Sequence, residues 1–141
     1  MVQEQGIINF CKPYLKRSAA NNKPGTLYDY AAVSWGLMKW GIATNNVRAK
    51  QTGQAIATAA WKVFYKNKTW TENPNSLLPK GTQQAHITDS ALISAEALLL
   101  EASNLSGDPL LKQKVSAVLK NITRSLEVDL FSHASLLAFV K

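Results

Sequence analysis

The chain has 141 residues, of which 46% are hydrophobic and 18% charged, a composition that suits one globular domain rather than two. No apolar run approaches the roughly 20 residues of a membrane-spanning helix, and Val2-Gln3-Glu4-Gln5 lacks the basic start and apolar core of a signal peptide. The single cysteine, Cys11, excludes an internal disulfide and a thiolate-rich metal site; it is compatible with a reducing compartment, and a cytoplasmic location is the expectation.

In chain order the pattern is helical nearly throughout. Val2 to Cys11 carries Ile7, Ile8, Phe10 and Cys11 on one side, and Pro13 stops or bends this segment. Tyr14 to Gly25 reads as a loop, punctuated by Asn21-Asn22-Lys23-Pro24-Gly25. From Leu27 to Thr44 the apolar residues recur at spacings of three and four, which predicts an amphipathic helix with a broad apolar face. Asn45-Asn46 is a short break. Val47 to Tyr65 predicts a second helix, rich in small residues (Gly53, Ala55, Ala57, Ala59, Ala60) that let a neighbour come close.

Lys66 to Thr88 is a long connection containing Pro74, Pro79 and Gly81, with a brief strand expected at Thr69-Trp70-Thr71. Thr88 or Asp89 is then expected to cap a helix running to about Leu105, apolar nearly all round. Ser106-Gly107-Asp108-Pro109 combines a helix stop, an N-cap and a proline at the first position of the next helix. That helix runs from Leu110 to about Leu126, and a last apolar helix is expected over Phe131–Val140. The whole reads as an all-α fold of three consecutive antiparallel hairpins, with short turns on one side and long connections gathered on the other rim.

Three stretches together resemble the helical C-terminal region of the thioredoxin-domain-containing family that includes the spermatogenesis-associated proteins. The first is Leu15-Lys16-Arg17-Ser18 followed, after a spacer, by Tyr28-Asp29-Tyr30-Ala31. The second is Trp70-Thr71-Glu72 leading through Leu77-Leu78-Pro79-Lys80 to Asp89. The third is Asp89 to Glu96, followed by Leu105-Ser106-Gly107-Asp108. The family pattern departs here at Tyr28, where it has Asp, and at Ser90, Ile93, Ala95 and Glu96, where it has Gly, Pro, Gly and Asn. The resemblance implies an (α/α) toroid similar to the six-hairpin glycosidases. It also implies that residues 1–141 form a partial toroid, an arc of consecutive antiparallel hairpins from the C-terminal part of a longer protein. A carbohydrate-type cavity would then lie on the rim of long connections.

On that reading the catalytic candidates are Asp29, Asp89 and His86, and the ligand-binding candidates are Arg17, Tyr30, Trp70 and Ser94. Glycoside hydrolysis needs two carboxylates, and of the acids only Asp29, Glu72 and Asp89 lie in or beside the long connections. Asp29 and Asp89 each also suit a helix start, where a negative charge offsets the helix dipole or caps it. His86 precedes an expected helix within a loop and is the better placed of the two histidines to act as a base. Trp70, alone among the four tryptophans in lying outside a helix, is the aromatic best placed to meet a sugar. Neither histidine has the spacing of a metal site, so no metal and no cofactor are expected.

The net charge of +7 is spread along the chain with no block of five like charges and no nucleic-acid signature, which favours a solvated basic surface over a nucleic-acid site. Two functions follow as expectations: a segment of a carbohydrate-binding or carbohydrate-processing cavity, or a non-catalytic structural or protein-interaction module. A basic nucleic-acid-binding module is the third. Expected partners are the rest of a longer chain or a second copy meeting an exposed apolar edge, and a small-molecule sugar, with no membrane.

Overall fold

The computed structural model describes residues 25–71, 93–128 and 134. Four helices and one small hairpin make up these residues: α1 (Leu27–Ala43), α2 (Val47–Phe64), β1 (Tyr65–Lys66), β2 (Thr69–Trp70), α3 (Ala95–Leu105) and α4 (Pro109–Val128). The architecture is all-α. The helices expected over Val2–Cys11 and Phe131–Val140 fall outside the described residues, Ala134 apart.

The two short turns share one design. After α1, the N–H of Asn46 bonds the carbonyl of Gly41 at 2.8 Å and that of Asn45 the carbonyl of Ile42 at 3.3 Å. Asn45 itself sits at φ 53. This is a Schellman ending, with asparagine accepting the left-handed position that glycine usually fills. Asn46 then serves at once as the N-cap of α2, its side chain accepting from the N–H of Ala49 at 3.0 Å. After α3, Gly107 takes the left-handed position at φ 75. Asp108 caps α4, accepting from Leu110 at 2.8 Å and Leu111 at 3.3 Å, while Pro109 occupies the first helical position, where a missing N–H costs nothing. In each turn one residue ends a helix and the next begins another.

Helix α3 begins at Ala95, because Ser94 holds an extended backbone (φ -61, ψ 144) and accepts from the N–H of Ala97, so the expected helix does not run unbroken through Ile93 and Ser94; the caps expected at Thr88 or Asp89 lie outside the described residues. A serine hydroxyl competes with the helical backbone and is worth more at a cap than inside a helix. The apolar run through Ala91, Leu92 and Ile93 hides this break in the sequence.

Cross-contacts fix the helix directions. Ser34 of α1 donates to the carbonyl of Gly53 in α2, and Tyr30 near the start of α1 meets Phe64 at the end of α2, so these helices are antiparallel. Trp61 of α2 bonds Ser103 of α3, and Gln54 reaches Asp108 just beyond α3, so α2 and α3 are antiparallel as well. It follows that α1 and α3 run parallel, and they also pack against each other. The starts of α1 and α3, the end of α2 and the β1–β2 hairpin therefore lie at one end, and the turns at Asn45 and Gly107 at the other. Segments leading into the long connections thus share one end, as the alternation of loop lengths implies.

The core runs through all four helices. Leu27, Ala31, Ile56, Trp61, Phe64, Leu98, Leu99, Leu100, Leu111, Val115 and Val118 are buried, each large aliphatic or aromatic side chain contributing about 1.5–3 kcal/mol. On α4 the buried Leu111, Val115, Val118 and Ile122 recur at spacings of four, three and four, leaving Lys112, Gln113, Ser116, Ala117 and Lys120 to solvent. The short connection between β1 and β2 is a two-residue hairpin turn, Asn67-Lys68, with both φ values positive at 53 and 63.

Candidate functional site

Four of the seven candidate residues lie within the described segments, and all four are at the end where the long connections begin. Asp29 is the third residue of α1. Its Oδ2 accepts from the backbone N–H of Thr26 at 2.7 Å and from the Thr26 hydroxyl at 2.9 Å, and its own N–H donates to Thr26 Oγ1 at 3.4 Å. This reciprocal capping box satisfies two helix-start donors and places a negative charge on the positive end of the dipole.

Tyr30, the next residue, turns the other way. It is buried, with its ring 5.2 Å from that of Phe64 at an interplanar angle of 70°, an edge-to-face contact typical of packed aromatics. Ser94 is buried and caps α3. Trp70 is buried too, with ring centroids 4.7 Å from Trp61 and 4.6 Å from Tyr65. Of the brief strand expected at Thr69-Trp70-Thr71, Thr69-Trp70 is present, and pairing Tyr65 with Trp70 across the hairpin brings the tilted and edge-on rings of Trp61, Tyr65 and Trp70 together. Among the described residues the indole N–H of Trp70 has no hydrogen-bond partner. Burial pushes the half-covered Tyr65 phenol above its ordinary pKa. Arg17, His86 and Asp89 lie outside the described residues.

Two polar features were not singled out from the sequence. Glu96, in the first turn of α3, is buried to 2% exposure, where its acidic group favours the helix start. Further along α3, the Glu101 carboxylate takes the indole N–H of Trp35 on one oxygen and the Lys39 ammonium, at 2.6 Å, on the other. Trp35 and Lys39 are four residues apart on α1 and so share a face; the Lys39 ammonium also stands 5.7 Å from the Trp35 ring centre. The available signal is the pair of glutamates interrupting the apolar run from Ala95 to Ala102. An acid in such a run must find a partner when the helix is buried.

Among the described residues no group of three or more His, Cys, Asp or Glu side chains is arranged to hold a metal ion. No helix among them is long and apolar enough to cross a membrane. The structure defines an all-α protein of helical hairpins. No family model, curated protein or solved structure matches the chain.

Proposed function

We propose that this chain is a non-catalytic structural module, an arc of helical hairpins of the (α/α) toroid kind that completes a larger assembly, either the rest of a longer chain of the thioredoxin-domain-containing type or a partner protein. One observation carries this reading: Asp29, Tyr30, Ser94 and Trp70 are committed to caps and core packing. A group engaged in this way adds stability, and its loss is felt in folding before it is felt in chemistry.

The alternative is a carbohydrate-type cavity on the same rim. The placement of Asp29, Tyr30, Ser94 and Trp70 at the end from which the long connections leave supports it. Asp29→Ala distinguishes the two. The structural reading expects a loss of about 1 kcal/mol in stability from the missing cap and no change in melting temperature on adding millimolar mono- or disaccharides to the unaltered chain. A sugar that raises the melting temperature of the unaltered protein, but not that of Asp29→Ala, overturns the structural reading.

A further inference from the structure

We propose that the outer face of α2, continued by the β1–β2 hairpin, is a docking surface for the phosphodiester backbone of a nucleic acid, held by charge and indifferent to base sequence. Between Tyr30 and Thr71 the chain carries Lys39, Arg48, Lys50, Lys62, Lys66 and Lys68 and not one aspartate or glutamate, so this hairpin accounts for nearly all of the net charge of +7. Lys39 is engaged by Glu101. The other five have no ion-pair partner among the described residues, and all but the half-buried Lys50 are exposed.

The fold gathers cations that look scattered in the sequence. Along the solvent side of α2 the exposed positions after Val47 are Arg48, Gln51, Ala55, Thr58 and Lys62, at helical spacing. Arg48 and Lys62 are separated by about 21 Å along the axis at 1.5 Å per residue. Lys66 and Lys68, both exposed, follow Lys62 within six residues on the hairpin that continues α2. The surface thus carries positive charge at its two ends, Arg48 at one and Lys62 with the hairpin lysines at the other, across a small, neutral middle.

The choice of partner follows from what the strip lacks. Protein partners are anchored by aromatic and large aliphatic side chains at the centre of an interface, and bilayers by apolar side chains that insert. Between Arg48 and Lys62 no large hydrophobic side chain is exposed. A second copy would set like charges against each other. A phosphate backbone needs only a line of cations and close approach, and counterion release supplies the affinity.

The test is fluorescence anisotropy of a labelled 20-mer, as single-stranded DNA and as RNA, titrated with the unaltered chain at low and moderate salt. Two charge-matched double variants are compared: Lys62→Gln with Lys66→Gln on the strip, and Lys112→Gln with Lys120→Gln on α4. All four lysines are exposed, and circular dichroism checks that each variant is folded. Binding at about 50 mM salt that weakens steeply with added salt is expected, with the salt slope reduced by about 1.5 in the strip variant and unchanged in the α4 variant. Equal losses in both variants would reduce the effect to net charge and overturn the proposal. So would an absence of oligonucleotide binding at low salt, or binding confined to vesicles containing phosphatidylglycerol.

Discussion

Trp61 of α2 donates its indole N–H to the Ser103 hydroxyl of α3 at 2.8 Å, and Ser103 donates in turn to the Leu99 carbonyl one turn back at 2.7 Å. Both side chains are buried, Trp61 at 1% exposure and Ser103 at 0%. The relay lets the Trp61 indole enter the core without stranding its donor. Ser103→Ala removes the acceptor and leaves a buried N–H, so it is expected to cost about 1–3 kcal/mol. Urea unfolding of Ser103→Ala, Trp61→Phe and the double variant measures this as a coupling energy. Strictly additive losses would show that the bond contributes nothing beyond packing.

The glycines of the α1–α2 pair separate close approach from mere flexibility. A Cβ at Gly41 would stand 2.9 Å from the Lys50 backbone nitrogen and 3.0 Å from the Asn46 carbonyl oxygen, atoms that cannot move without opening the turn. One at Gly53 would meet Met38 Cγ and Sδ at 3.0 Å and the Ser34 carbonyl oxygen at 3.1 Å. A Cβ at Gly36 meets nothing within 4 Å among the described residues. Gly36→Ala is therefore expected to raise stability by about 0.5–1 kcal/mol through helix propensity. Gly53→Ala is expected to lower it by about 1–3 kcal/mol through overpacking, and Gly41→Ala by at least as much. Chemical denaturation of the three single variants checks the order; a stabilised Gly41→Ala would contradict the close approach.

These contrasts show what the sequence could carry. The spacing of apolar residues located α1, α2 and α4 to within a residue or two, and Asn45-Asn46 and Ser106 to Pro109 announced both short turns through local backbone chemistry. The start of α3 was not legible, because Ile93 and Leu92 continue the apolar pattern across a serine whose cap is decided by its own hydrogen bond. The candidate site was legible only as a set of helix starts. Asp29 could be read as a helix-start acid from its position, whereas Ser94, set inside the expected helix, could not be read as a cap. Whether Tyr30 and Trp70 face a cavity or the core depends on which neighbour covers them, and that is set by contacts with Phe64, Trp61 and Tyr65 that no local pattern encodes.

The hairpin turn offers a gain in stability. Asn67 tolerates the left-handed region, but Lys68, at φ 63, places a Cβ where only glycine is comfortable. A type I′ turn prefers Asn-Gly at these two positions. Lys68→Gly is thus expected to stabilise the hairpin by about 0.5–1 kcal/mol, less the entropy that glycine gains in the unfolded chain. Thermal unfolding followed through the buried Trp70 would register this as a rise in midpoint. A fall would mean that the Lys68 side chain makes a compensating contact.

Asp108 makes the junction of α3 and α4 sensitive to acid. Hydrogen bonds from the backbone N–H groups of Leu111 and Leu110, outweighing a small opposing effect of burial and helped by Gln54, hold its carboxyl below the ordinary value of 3.8. A carboxyl with a lowered pKa in the folded state stabilises that state when ionised. Its contribution is complete above the ordinary value and is lost as pH falls through that value and then through the lowered one. Asp108→Asn keeps an oxygen acceptor for the cap but cannot titrate. The unaltered chain is therefore expected to be the more stable of the two near neutral pH, and its advantage is expected to shrink as pH falls from neutral through 3.8 and below. Urea unfolding of both chains at several pH values in that range tests the claim. An advantage that stays constant with pH would show that the Asp108 charge plays no part in holding the start of α4.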